Sequence, residues 1–197
     1  MPDPEAILAA TERSFGRRQI QAGHALMVVI GRDFQHPIGE VWEALSNPEH
    51  LAAYFARPTG DLRLGGEYTL PDGSHGSILR CDPPRLLTVS WVRERHPMAE
   101  LEFRLSAEEK HTRLELRYAS VRKRFAVTAE GSGEWGAGAG WEFFLDDLES
   151  YLQGNVPEEA PGVVDRNILE GERLELFEVR NHRWLAIAVE FQRDHTL

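Results

Sequence analysis

The residue types that perform acid–base, nucleophilic or metal chemistry are thinly spread along this chain. Its eight histidines include no H-x-H or H-E-x-x-H spacing, so we expect no metal site. No G-x-S-x-G pattern presents a serine nucleophile. If the protein is a catalyst, its acid–base candidates are His75, His96 and Glu134, which fall on predicted turns or loops. A surface position is the simpler interpretation of each, and the sequence assigns no catalytic residue.

One glycine motif could in principle bind a cofactor. Gly131, Gly133 and Gly136 form a literal G-x-G-x-x-G, but a dinucleotide site needs this pattern between a strand and a helix of a parallel βαβ unit. Here the run up to Gly140 follows predicted antiparallel strands and precedes a final helix, so we predict no cofactor. We interpret the run as a flexible entry loop, and we hypothesise that Trp135 within it caps the mouth of a pocket.

The composition describes an ordinary globular chain with an acidic surface. The 22 basic and 32 acidic side chains give a formal net charge of -10, which repels phosphate backbones and argues against a nucleic-acid partner. A single cysteine, Cys81, permits no intrachain disulfide and fits a reducing compartment. The longest apolar run is too short to span a bilayer, and the N-terminus lacks a signal-peptide pattern. We therefore predict a soluble, cytoplasmic protein without a membrane partner.

The first quarter of the sequence predicts a tail, a strand and two short helices. Residues 1–24 are polar with a thin helical stripe, which predicts a tail or a loosely docked helix. An apolar run from Ala25 to Ile30 predicts the first strand. Pro37 suits the first turn of a helix that buries Ile38, Val41, Trp42 and Leu45, and Asn47-Pro48 provides the N-cap and first residue of another.

The middle of the chain predicts an antiparallel meander followed by a long helix. From 61 to 119 the apolar period is two, and Asp72-Gly73 is a strong hairpin signal. Strands joined by such short turns must pair antiparallel. Residues 120–140 are predicted to be a loop. Beyond them, an apolar stripe opposite three acidic residues predicts a helix that ends at Gly154, with the stripe formed by Trp141, Leu145, Leu148 and Leu152 and the opposite side by Asp146, Asp147 and Glu149.

The last segment, residues 155–197, is treated as a C-terminal extension. Leu174 and Leu176, and then alternate residues from Leu185 to Phe191, have the period of a hairpin around Asn181-His182. A helix from Ile168 onward is the alternative.

The order of these elements and of several short motifs resembles the START-like (SRPBCC) superfamily, specifically the domain of the activator of heat-shock-90 ATPase homologue type. The resemblance covers roughly residues 25–154 and rests on the joint order of motifs, which include Pro37…Val41-Trp42, Asn47-Pro48-Glu49, Tyr54-Phe55, Asp61-Leu62-Arg63-Leu64-Gly65-Gly66, Gly76-Ser77-Ile78, Pro83-Pro84-Arg85-Leu86, Trp91, Thr112-Arg113-Leu114 and Gly140-Trp141. It implies an α+β helix-grip fold, in which a curved antiparallel sheet of about seven strands wraps around a long C-terminal helix and leaves a cavity.

Such a cavity implies a small apolar ligand, lipid-like or polyketide-like, although each large aromatic residue could simply pack the core. The residues expected to line it are Tyr54, Phe55, Trp91, Phe103, Tyr118, Trp135, Trp141, Leu145 and Leu148. The family often has tryptophan where this chain has Tyr54, so a hydroxyl is expected near the pocket wall. Two alternatives remain, a cyclase- or hydratase-type enzyme using the same cavity and a protein-interaction module. The latter would be a homodimer through the extension or a chaperone regulator. True chaperone activators also carry a separate N-terminal domain, which argues against chaperone regulation.

Overall fold

The fold consists of one large sheet and of helices that lie on its concave side. The computed structural model describes residues 8–94, 96–109, 111–121, 135–164 and 169–194. In chain order the elements are β1 (Glu12–Ile20), β2 (Gly23–Phe34), α1 (Ile38–Ser46), α2 (Pro48–Tyr54), β3 (Thr59–Gly60), β4 (Glu67–Thr69), β5 (His75–Asp82), β6 (Leu86–Trp91), β7 (Ala99–Glu108), β8 (His111–Ser120), α3 (Trp135–Leu152) and α4 (Gly171–Asp194). None of the helices in these ranges is long and apolar enough to cross a membrane.

The sheet has eight strands in the order β1-β2-β8-β7-β6-β5-β4-β3, and every neighbouring pair is antiparallel. The alternation of apolar and polar residues gives the sheet one face toward the helices and one toward solvent. The buried residues on the helix side are Leu101, Phe103 and Leu105 of β7 and Leu114 and Leu116 of β8. The predicted α+β helix-grip fold is therefore confirmed, with eight strands where about seven were expected.

The additional strand is β1, and it corrects the prediction of an N-terminal helix. Residues 12–20 pair with β2 along nine consecutive positions, from Glu12 opposite Gly31 to Ile20 opposite Gly23. The helical stripe in this region was thin. Pairing with a long neighbouring strand satisfies the backbone and outweighs a weak local preference.

The helices α1 and α2 form where the local sequence signals predicted them. Val41, Trp42 and Leu45 are buried on α1. The Asn47 side chain caps α2 by accepting a hydrogen bond from the Glu49 amide at 3.0 Å, and Pro48 occupies the first turn. The helix α1 packs against α3, β7 and β8, and α2 packs against α3.

The long helix α3 extends further toward the N-terminus than predicted. Residues 135–140, which were assigned to a loop, are helical, whereas residues 122–134 lie outside the described ranges. The predicted stripe is confirmed, since Trp141, Leu145 and Leu148 are buried. Gly154 follows the helix with a φ of 86°, as a C-terminal glycine should.

The extension contains the helix α4 and not a hairpin. Its buried residues Phe177, Arg180, Asn181, Trp184 and Ala188 recur with helical spacing. Two of these five residues, Arg180 and Asn181, are polar, so the sequence shows no continuous apolar stripe with helical spacing here. The helical alternative is therefore the correct one, and α4 packs against α3 and β1.

Candidate functional site

Most of the aromatic residues predicted to line a pocket lie together between α3 and the sheet. Phe144 of α3 is at their centre. Its ring centroid lies 5.0 Å from that of Phe55 and 5.8 Å from those of Tyr54 and Phe103. We call the group formed by Tyr54, Phe55, Trp91, Phe103, Tyr118, Trp141 and Phe144 the aromatic set. Phe144 was missed in the sequence analysis, although its position three residues after Trp141 places it on the same helix face.

The two tryptophans of the aromatic set form its other half. The ring centroid of Trp141 lies 5.4 Å from that of Trp91, with the planes at 75°, and 5.9 Å from that of Tyr118. Trp91 and Trp141 are buried, whereas Tyr118 is half-buried. Leu145 and Leu148, also predicted to line the pocket, are fully buried on the same side of α3. The aromatic set therefore reaches the surface at Tyr118.

The tyrosine hydroxyls inside the fold are hydrogen-bonded to the backbone. Tyr54 donates to the Ala44 carbonyl at 3.0 Å, and Tyr68 donates to the Ser90 carbonyl at 2.8 Å. Burial raises the pKa of Tyr54 well above its usual value, and the neighbouring Tyr151 and Asp147 raise it further. Tyr54 therefore stays neutral, and its hydroxyl is directed to α1.

The sequence analysis missed a buried group of charges on another side of α3. We call Arg13, Arg32, Glu142, Asp146 and Arg180 the ionic cluster. Glu142 is fully buried and accepts two hydrogen bonds from Arg13, at 2.7 and 2.6 Å. It also accepts one from the indole nitrogen of Trp184 at 2.7 Å, and the Nε of Arg180 lies 3.1 Å from it. A single carboxylate thus connects β1, α3 and α4.

Asp146 extends the ionic cluster by one helical turn. It accepts hydrogen bonds from Arg32 of β2 and Arg180 of α4, both at 2.7 Å. Arg32 also donates to the hydroxyl of Thr11 at 3.0 Å. Asp146 was predicted to lie opposite the apolar stripe, and on that side the arginines of β2 and α4 cover it. One sequence signal could have indicated the ionic cluster, because Glu142, Asp146 and Glu149 recur at helical spacing. Successive helical residues are about 100° apart, so these three side chains lie on a different side of α3 from Trp141.

The two acid–base candidates that the structure describes do not join the aromatic set. His75 and His96 are exposed, as the simpler interpretation required, and Glu134 lies outside the described ranges. Burial raises the pKa of Asp147 to about 6, although the Arg173 charge opposes the shift. No group of three potential metal ligands occurs in the described part of the chain. The side chain of Trp135 is not among the described residues either, so its role as a cap stays a prediction.

The sheet curved around α3 and the aromatic set between them define the helix-grip class of α+β domains. Residues 35–153 match the model of the family described as Activator of Hsp90 ATPase homolog 1-like protein. The chain belongs to this family. A comparison with curated protein sequences finds no match.

Solved structures extend the similarity beyond the family domain. The chain is similar to CalU16 from Micromonospora echinospora, with 36% identity and a TM-score of 0.76 over 91% of this chain and 99% of that chain in its crystal structure. The solution structure of CalU16 gives 38% identity and a TM-score of 0.79 over 92% of this chain and 96% of that one. PFC0360w, an HSP90 activator from Plasmodium falciparum, is 20% identical with a TM-score of 0.53, over 66% of this chain and 97% of that chain. This last similarity concerns the fold alone.

Proposed function

We propose that the protein binds a small apolar molecule, lipid-like or polyketide-like, between the concave face of the sheet and α3. The observation that carries the proposal is the aromatic set, which is buried at Phe103 and Trp91 and reaches the surface at Tyr118. Leu26 on β2 and Ala137 on α3 are also half-buried. These residues offer an apolar entrance, and binding sites for small molecules are mostly apolar with few polar groups.

The polar groups of the interior favour an uncharged ligand. The hydroxyls of Tyr54 and Tyr68 are bound to backbone carbonyls, and that of Thr112 donates to the His36 carbonyl at 2.7 Å. The arginines of the ionic cluster bind Glu142 and Asp146. A charged ligand would have to break one of these pairs, and a buried charge without a partner is costly.

The two alternative functions have less support. An enzyme of the cyclase or hydratase type would need a free acid or base beside the aromatic set. The carboxylates of the ionic cluster are occupied by arginines and lie on another side of α3, and Asp147, whose charge acts on Tyr54 and whose pKa burial raises to about 6, is a single acidic group there. Chaperone regulation is suggested by the description of the family and by PFC0360w, but the 20% identity of PFC0360w supports the fold alone. We further propose a cytoplasmic location, because the exposed thiol of Cys81 has no second cysteine in the chain to pair with.

The proposal is tested by blocking the entrance with a larger side chain. Native mass spectrometry of the purified protein should detect a co-purified apolar compound, and the neutral probe N-phenyl-1-naphthylamine should bind with enhanced fluorescence. Ala137→Phe fills the half-buried entrance position and is expected to weaken probe binding at least about tenfold, which corresponds to about 1.4 kcal/mol. Ala186→Phe, on the exposed side of α4, is the matched control and should bind as the unmodified protein does.

Two results would contradict this function. The first is an unmodified protein that carries no apolar compound and binds no probe. The second is equal probe binding by the Ala137→Phe and Ala186→Phe variants, because the probe would then sit elsewhere on the surface.

A further inference from the structure

A serine lies at the end of the concave face where the aromatic set meets the surface. Ser120 is on β8, two residues beyond Tyr118, and therefore on the same face of the sheet. Its Cα neighbours across the sheet are Leu26 of β2 and Ala99 of β7, and Ala99 is in turn opposite Trp91. Ser120 is thus surrounded by residues of the proposed entrance.

The hydroxyl of Ser120 is buried without a hydrogen-bond partner in the part of the chain that the structure describes. The residue is only 5% exposed, and its Oγ has no partner among the described residues. This distinguishes it from Tyr54, Tyr68 and Thr112, whose hydroxyls all bind backbone carbonyls. A buried hydroxyl that makes no hydrogen bond destabilises the folded state.

The position itself does not demand a polar residue. Ala99, directly opposite on the same face of the sheet, is fully buried. A methyl group at position 120 would therefore match its surroundings and remove an unsatisfied hydroxyl. Without a hydrogen-bond partner, the buried hydroxyl lowers the stability of the folded state. A bound ligand that accepts a hydrogen bond from this hydroxyl would remove that cost.

We propose that the Ser120 hydroxyl donates a hydrogen bond to a carbonyl oxygen of a flat, neutral, aromatic ligand. The proposal rests on the proposed function and specifies the class of ligand. The rings of Trp91 and Trp141 meet at 75°, and those of Trp141 and Tyr118 at 42°. These rings can contact both a face and an edge of an aromatic guest, because aromatic pairs favour offset and edge-to-face contacts. A carbonyl oxygen only accepts hydrogen bonds, and Ser120 has a free donor.

The test uses two probes that differ by one carbonyl group, fluorene and 9-fluorenone. Binding is followed by quenching of tryptophan fluorescence in the full-length protein, and the ratio of the two dissociation constants is compared between variants. Ser120→Ala should reduce the preference for 9-fluorenone about fivefold relative to the unmodified protein, as expected for one hydrogen bond. Its affinity for fluorene and its melting temperature should not fall. Ser106→Ala, an exposed serine on β7, is the matched control and should leave the ratio unchanged.

Three other outcomes would contradict the proposal, and each identifies which part of it fails. If both probes bind but the ratio is the same in the Ser120→Ala variant, the hydrogen bond is refuted and the apolar site stands. If Ser120→Ala weakens both probes equally and lowers the melting temperature, the serine is structural. If neither probe binds the unmodified protein, the proposed function fails together with this inference.

Discussion

Individual buried carboxylates in this protein are stabilised by arginines that surround them. On the convex face of the sheet, the fully buried Glu102 of β7 accepts hydrogen bonds from Arg104 at 2.6 Å, Arg18 at 3.0 Å and Thr88 at 3.2 Å. Burial opposes ionisation of Glu102, but the two guanidinium groups outweigh it and lower its pKa. Glu142 in the ionic cluster is likewise fully buried and paired with two arginines.

At the residue scale, Glu142→Gln should destabilise the protein by about 3 kcal/mol, because removing one partner leaves Arg13 and Arg180 buried without full compensation. The free energy of unfolding is measured by urea denaturation. Glu149→Gln on the same helix is the control. Its carboxylate is 33% exposed and 3.7 Å from Arg32, so the change should be under about 1 kcal/mol. Equal effects of the two substitutions would refute a special role for the ionic cluster.

The contact between α3 and α4 depends on a glycine. A Cβ atom on Gly138 would lie 2.5 Å from the indole ring of Trp184, which is too close for any ordinary contact. The same indole donates its N–H to Glu142 and lies 5.1 Å from the ring of Phe15 on β1, edge to face. Part of the glycine run therefore brings two helices into direct contact, a role that the sequence analysis did not assign to it.

At the element scale, Gly138→Ala and Gly140→Ala should change stability in opposite directions. The first forces the Trp184 ring away and should cost about 1–3 kcal/mol, the usual effect of overpacking. A Cβ on Gly140 would meet nothing nearer than the Val164 carbonyl at 3.7 Å, so alanine there should stabilise α3 by up to about 1 kcal/mol through helix propensity. Thermal melting of both variants checks this, and destabilisation by both would contradict it.

In the whole molecule, the two ends of the chain complete the structure around α3. Arg13 and Phe15 of β1 meet Arg180 and Trp184 of α4 at Glu142. The Gly162 amide donates to the Phe55 carbonyl at 2.9 Å, so the segment before α4 is also attached to the domain. A homodimer through the extension, which the sequence analysis left as an alternative, would have to use the outer side of α4, where Val179 and Val189 are exposed.

At the whole-molecule scale, a chain ending at Gly154 should be strongly destabilised. Phe143, which stacks on Phe177 at 6.4 Å, would be exposed, and Glu142 and Asp146 would each lose Arg180. We expect the melting temperature, followed by circular dichroism, to fall by more than about 10 °C. A chain ending at Asp194 retains all of α4 and is the control. A truncated chain that melts like the full-length protein would show that the extension is dispensable.

Local sequence signals predicted much of the fold and, at the candidate site, the aromatic set except for Phe144. The cap at Asn47, the turn at Asp72-Gly73 and the alternation along β7 and β8 each act over a few residues, so they could be read directly. The stripe from Trp141 to Leu148 likewise identified the face of α3 that carries the aromatic set. The motif order between residues 25 and 154 then supplied the family, which the comparison confirmed.

Tertiary structure decided the rest, because the deciding contacts join residues far apart in the chain. Arg13 and Glu142 are separated by 129 residues, and neither has a local pattern that predicts the other. The strand β1 exists because β2 offers it a partner, and α4 buries Arg180 because Asp146 and Glu142 receive its charge. The sequence by itself determined the elements with local signals and the helix-grip domain. The burial of charge, the pairing of the N-terminal strand and the position of the last helix required the folded chain, since long-range pairing outweighs weak local preference.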